Sequence, residues 1–153
     1  MTEREPAPAP ARPAPSCAMV LLLEVVGAGG LTVPVPATLA YRSAEPYAVR
    51  LELSVGAGEP VRWVFARELL RTGLRRAVGD GDVSVRPGTG ELADRVVLTL
   101  VGEDSTGRLR VGRADLRRFL RRTEELVPAG REHEHLDLDA LIGRLLAGPT
   151  GRP

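Results

Sequence analysis

The sequence predicts an α+β domain built on a mostly antiparallel, twisted sheet. Apolar and polar residues alternate through most of residues 17–111, the period of strands, and the spacing switches to threes and fours from Leu116 onward. Gly56-Ala57-Gly58-Glu59 separates two alternating runs as in an antiparallel hairpin, and Gly102 and Gly107 mark a further reversal. The predicted order is four strands, a helix, three strands and two helices, in a single domain over residues 17–147 with tails at 1–16 and 148–153.

Residues 1–16 are dominated by proline and alanine, with Pro6, Pro8, Pro10, Pro13 and Pro15 favouring extended chain and supplying no core. They read as a disordered tail, and residues 148–153 as a flexible one. Strand character begins at Cys17 and is dense from Val20 to Val26. Val33, Val35, Ala37, Leu39 and Tyr41 then share one face, while Pro34 and Pro36 on the other lack donors and suggest a strand beginning or an edge. Tyr47, Val49, Leu51, Leu53 and Val55 alternate with Ala48, Arg50, Glu52 and Ser54, the pattern of a half-buried strand. Val61, Trp63 and Phe65 repeat it after Gly56-Ala57-Gly58-Glu59, so these two runs form an antiparallel hairpin.

Ala66 to Leu74 is a short helix with Leu69 and Leu70 inward and Gly73 near its end. The sheet resumes with Val83 and Val85, then Arg95 to Val101 and Thr106 to Val111, with Gly102 and Gly107 at the reversal. Leu116, Phe119, Leu120 and Thr123 mark the apolar stripe of a helix that ends before Pro128 and Gly130. In the last helix Asp137 is placed as N-cap, Asp139 favours the positive end of the helix dipole, and Leu138, Leu141, Ile142 and Leu145 form the apolar face. Strands followed by a helix occur twice, so two similar halves can lie side by side.

Composition limits the functional classes. With 43% hydrophobic and 27% charged residues the chain is neither a disordered polymer nor a membrane span. A net charge of +1 gives no general push toward nucleic acid or acidic lipid. All 21 basic residues are arginine, Asn and Gln are absent, and Ile142 is the single isoleucine, a signature of GC-rich coding. Arginine richness is therefore weak support for phosphate recognition. Cys17 has no intrachain partner, which suits a reducing compartment. The apolar run that follows it is broken by Glu24, too short to span a bilayer and wrongly placed for lipidation, so the cytoplasm is the expected location, without membrane insertion.

Each motif of chemical interest has a plainer reading. His133-Glu134-His135-Leu136-Asp137 resembles part of the His-x-His-x-Asp-His metal motif of metallo-β-lactamase-like hydrolases, but Leu138 stands in the final histidine position and the chain has no other histidine. A catalytic zinc needs about three protein ligands, so the segment is taken as a helix start capped by Asp137. Gly79-Asp80-Gly81-Asp82 lacks the other ligands of a calcium loop and reads as a turn. No serine lies in a nucleophile elbow and Cys17 has no nearby histidine, so no catalytic residue, cofactor or metal is assigned. Arg117, Arg118, Arg121 and Arg122 form the candidate partner-binding cluster, against the alternative of a solvated face partly paired with Glu124 and Glu125. They could track phosphates in a single-stranded nucleic-acid-binding module, with Trp63 and Tyr47 stacking bases, but aromatics are scarce and nucleic acid is the less favoured partner.

Three stretches, in order and spacing, resemble the SsgA-like proteins of actinomycetes: Val33-Pro34-Val35-Pro36-Ala37 through Glu45-Pro46-Tyr47-Ala48-Val49, Trp63-Val64-Phe65-Ala66-Arg67-Glu68-Leu69-Leu70 through Gly81-Asp82-Val83, and Phe119-Leu120-Arg121-Arg122-Thr123 through Asp137-Leu138-Asp139. The chain departs from the family pattern in its Pro/Ala tail, in Glu45 where Asp is expected, and in Arg86 where an aromatic is expected. The resemblance implies a non-enzymatic adaptor of cell division and sporulation that controls septum placement or spore-wall assembly. It implies as partners the tubulin-like division protein FtsZ or another SsgA-like protein, and a location at division septa. It further implies a fold like that of the whirly single-stranded nucleic-acid binders, assembled as a homotrimer; likeness of fold alone does not establish nucleic-acid binding.

Overall fold

The computed structural model describes residues 14–136 and 138–147. The strands are β1 (Ser16–Val26), β2 (Thr32–Arg42), β3 (Ala48–Leu53), β4 (Val61–Ala66), β5 (Val78–Asp80), β6 (Val83–Pro87), β7 (Arg95–Val101) and β8 (Thr106–Gly112). Helix α1 (Arg67–Gly73) follows β4, and α2 (Arg113–Leu126), a 3-10 turn (Glu132–His135) and α3 (Leu138–Ala147) follow β8. The strands make one antiparallel sheet in the order β4-β3-β2-β1-β8-β7-β6-β5. Two four-stranded meanders thus lie side by side and meet where β1 pairs with β8, through Glu24 opposite Arg110 and Val25 opposite Leu109. Glu24 reinforces that narrow seam, lying 3.3 Å from Arg95 and 4.0 Å from Arg110.

The sheet curls. Helix α1 touches β4 at one edge and β5 and β6 at the other, which draws the two ends together around it. Gly73 permits the approach: a Cβ there would lie 2.2 Å from Cγ1 of Val85 on β6. Alternation puts Leu23, Leu39, Leu51, Val85, Leu98 and Val111 on the concave face, all buried, and α2 adds Leu116, Phe119, Leu120 and Thr123 to the same core. All four residues of the predicted stripe are buried, because their spacing keeps them on one side of the helix. The predicted hairpin is present as well, with Val49, Leu51 and Leu53 opposite Phe65, Trp63 and Val61.

Several expectations need correction. Among the described residues four strands follow α1, not three: Val78-Gly79-Asp80 forms β5, pairing with β6 across a tight turn at Gly81, whose φ is +78°. Three residues, one of them glycine, are too short to show a period. Tyr47, Val55 and Val61, placed on the buried face, are exposed because they lie at or beyond the strand ends, where the sheet no longer covers them. Pro34 and Pro36 lie in an interior strand, yet at a local edge. Ser54 N–H donates to the Pro36 carbonyl at 3.0 Å, so the proline positions face the β3 side, and β3 stops pairing with β2 at Ala37. The capping role of Asp137 lies outside the described residues. Ile142 and Leu145, assigned to the apolar face of α3, are 50% and 72% exposed, so that part of the face does not pack on this chain's core.

Candidate partner-binding surface

Once Leu116, Phe119, Leu120 and Thr123 turn inward, the sequence of α2 leaves its arginines no position but the rim and the outer face. They divide. Arg122 turns toward β1, where its Nη1 donates to the Ala18 carbonyl at 3.2 Å. Arg117, Arg118 and Arg121 line a cleft of about 500 Å³ between α1 and α2, opposite Arg71 of α1. Its apolar lining is Leu74, Ala114 and Leu120. The sequence-level cluster is therefore not one patch: three of its four members share a groove and the fourth is tied to the sheet.

Partners distinguish the groove residues further. Arg71 is held on two sides, by Glu68 in its own helix and by Glu124 of α2, its Nε lying 3.2 Å from Glu124 Oε1. Its Nη2 is buried with no acceptor among the described residues. Arg118 forms an ion pair with Asp115 at 3.6 Å, one turn away on the exposed surface. Arg117 and Arg121 are exposed and make no ion pair or side-chain hydrogen bond among the described residues. The expected pairing of Glu124 within α2 is thus corrected: this carboxylate crosses to α1 and ties the two helices together.

A buried arginine that sequence reasoning passed over fixes the helices behind the groove. Arg67, the first residue of α1, is 1% exposed. Its Nη1 donates to the Val127 carbonyl at 2.8 Å and to Thr123 Oγ1 at 3.4 Å, and its Nη2 to Glu132 Oε1 at 2.6 Å. The guanidinium lies over the Tyr41 ring, 4.9 Å from its centroid, within range for a cation–π contact. Tyr41 in turn donates to the Pro46 carbonyl at 2.8 Å. One side chain thus joins β2, α1, the end of α2 and the 132–135 turn. A signal was present: Arg67 precedes Leu70 by three residues and so shares its inward face.

The titrating groups follow this arrangement. Burial works against the charge on Glu132, but the hydrogen bond from Arg67, a backbone hydrogen bond and the charges of Arg67 and Arg71 outweigh it and hold the carboxyl below its usual range. Burial pushes the Tyr41 hydroxyl up against the opposing pull of Arg67, and likewise raises the Cys17 thiol, with Arg122 opposing. His133 and His135 both sit on the 3-10 turn, and among the described residues no three His, Cys, Asp or Glu side chains converge as metal ligands. Among those residues no helix is long and apolar enough to cross a membrane. The groove thus combines exposed arginines with an apolar lining of Leu74, Ala114 and Leu120.

Residues 35–132 match the family described as "Streptomyces sporulation and cell division protein, SsgA". The chain is 47% identical over 129 residues to a sporulation-specific cell division protein SsgB of Kineococcus radiotolerans, covering 83% of this chain and 76% of the relative. It is 42% identical over 127 residues to the SsgB of Streptomyces coelicolor, covering 83% and 93%. Among solved structures, one of an SsgA-like sporulation-specific cell division protein from Thermobifida fusca superposes with a TM-score of 0.77 at 38% identity, covering 87% of this chain and 97% of the other. A second, from work on SsgB mutations that correlate with longitudinal cell division during sporulation of Streptomyces coelicolor, has the same TM-score and identity over 82% and 99%.

Proposed function

The chain belongs to the SsgA family of sporulation and cell division proteins, and from that premise we propose that it is a non-enzymatic adaptor that recruits or positions division proteins during sporulation. FtsZ or another SsgA-like protein is the partner, and the division septum in the cytoplasm is the place of action. The observation that carries the reading is the likeness along most of the chain to relatives named for sporulation-specific cell division. The partner-binding residues in this reading are those of α2: Arg117, Arg118 and Arg121 at the groove, with Arg122 at its β1 side.

The fold in this reading is whirly-like, two antiparallel meanders backed by helices, and the chain assembles as a homotrimer. Support for self-association comes from the convex face of β1, where Val20 and Leu22 are 78% and 63% exposed beside Pro36 of β2. Three copies would multiply weak contacts to a polymerising partner through effective concentration. A fluorescent fusion in the native host, combined with mild crosslinking and mass spectrometry, tests the reading. Septal foci with FtsZ or another SsgA-like protein among the crosslinked partners support it. Diffuse or nucleoid signal with nucleic acid and no division protein would replace it with the single-stranded nucleic-acid binder. Solution mass tests the trimer, and a monomer at working concentration would remove that part.

A further inference from the structure

We propose that the α1–α2 groove is the docking site for a short acidic segment of the partner protein, one that presents on one face carboxylates about 6–7 Å apart with a leucine-sized apolar side chain beside them. This rests on the adaptor reading and specifies the chemistry of the segment it would hold. Four guanidiniums and one carboxylate line the cleft, and that carboxylate, Glu124, is already engaged by Arg71. The unspent charge is therefore concentrated on Arg117 and Arg121, which have no ion pair among the described residues.

Those two arginines are four residues apart on one helix, so about 6 Å separates them along its axis. Carboxylates two apart on an extended chain, or four apart on a helix, match that interval. Guanidinium groups take carboxylates in a paired, planar geometry, which favours Asp or Glu over a merely polar partner. The rest of the lining is Leu74, Ala114 and Leu120, an apolar surface that suits an aliphatic side chain better than a hydrophilic one.

Nucleic acid fits the groove less well. No aromatic side chain lines it, so bases would find no stacking platform, and Glu124 and Asp115 interrupt the basic track that phosphates would follow. The apolar strip would be left facing sugars and phosphates.

The test selects displayed random 16-residue peptides on the full-length chain, with the R117E/R121E variant as comparison; circular dichroism checks that the variant is folded. Peptides rich in Asp and Glu around a Leu, Ile or Met are expected. Binding should weaken at least tenfold on R117E/R121E and return when the peptide's acidic residues are exchanged for Arg. Selected peptides without acidic enrichment would overturn the assignment, as would equal binding to the variant. So would binding of a twenty-nucleotide single-stranded DNA that R117E/R121E abolishes while no acidic peptide is recovered. The same variant as a fluorescent fusion separates the two readings. If the wild type gives no septal foci and crosslinks no division protein, the adaptor reading fails. If the wild type does both and R117E/R121E matches it, only the groove assignment fails.

Discussion

Replacing Arg67 with Met keeps much of the aliphatic stem and removes the charge, which isolates what the guanidinium contributes. In the native protein it serves the Val127 carbonyl at 2.8 Å, Glu132 at 2.6 Å and the Tyr41 ring at 4.9 Å. Removing one partner of a buried pair costs about 3–5 kcal/mol, and a buried carbonyl left unpaired costs about 1–3 kcal/mol. These overlap, since one side chain makes both contacts, and Glu132 at 12% exposure retains some access to water. A loss of about 4 kcal/mol is expected, a large share of the roughly 5–15 kcal/mol by which domains are stable. With a urea m-value of about 2 kcal/mol/M, the unfolding midpoint should fall by about 2 M. Urea unfolding of wild type, R67M, E132Q and the double variant gives the coupling directly. E132Q should cost less, because Arg67 keeps Val127 and Thr123. The double variant should lose less than the sum by at least about 1.5 kcal/mol, the scale of a charge-assisted hydrogen bond. A loss under about 1 kcal/mol for R67M, or no coupling in the cycle, would refute the view that this arginine ties α1 to the end of α2.

The same pair sets a pH dependence. Because the folded-state pKa of Glu132 is depressed, its contribution is complete above the ordinary carboxylate value of about 4.3 and is lost as pH falls below that through the lower folded value. E132Q should therefore unfold in urea with a shallower acid limb than wild type, and parallel limbs would contradict the assignment. Gly73→Ala should cost about 1–3 kcal/mol, because its Cβ would meet Val85 Cγ1 at 2.2 Å; at about 2–4 °C per kcal/mol, calorimetry should show Tm lower by about 2–12 °C. The Cys17 thiol is raised by burial, and the thiolate is the reactive form. Alkylation by iodoacetamide at pH 8 should thus run several-fold slower in the native protein than in urea, and equal rates would count against the burial.

What was legible in the sequence was what obeys a period. The stripe Leu116, Phe119, Leu120, Thr123 and the alternation Val49, Leu51, Leu53 repeat often enough to identify both element and face, and all seven residues are buried. Strand β5 escaped because Val78-Gly79-Asp80 ends before a second repeat. The exposed ends at Tyr47 and Val61 show the limit of the same rule: alternation assigns a face, whereas burial also needs a neighbouring element above it. Strand order was not readable either. That β1 should pair with β8 depends on which edges the curled sheet brings together, and only the repeated strands-then-helix pattern hinted at two adjoining halves.

The arginines show why composition could not locate the site. If coding bias sets their number, number carries no information, and function has to be sought in what each one touches. Arg67 is consumed by the core, and Arg113 by the Leu74 and Ala93 carbonyls at 2.7 and 3.2 Å. Arg50 and Arg62 are spent on neighbouring glutamates across the surface. Arg122, which in sequence looks equivalent to Arg121, is committed to β1 because it is one residue, and so about 100°, further round the helix. The helical period that made Leu116 and Phe119 core residues therefore also sorts the cluster, leaving Arg117 and Arg121 together at the groove. A nearly neutral chain can in this way hold a locally basic site, since its 21 arginines are offset by 20 acidic residues only over the chain as a whole. That is why a net charge of +1 and a charged groove are compatible in one small domain.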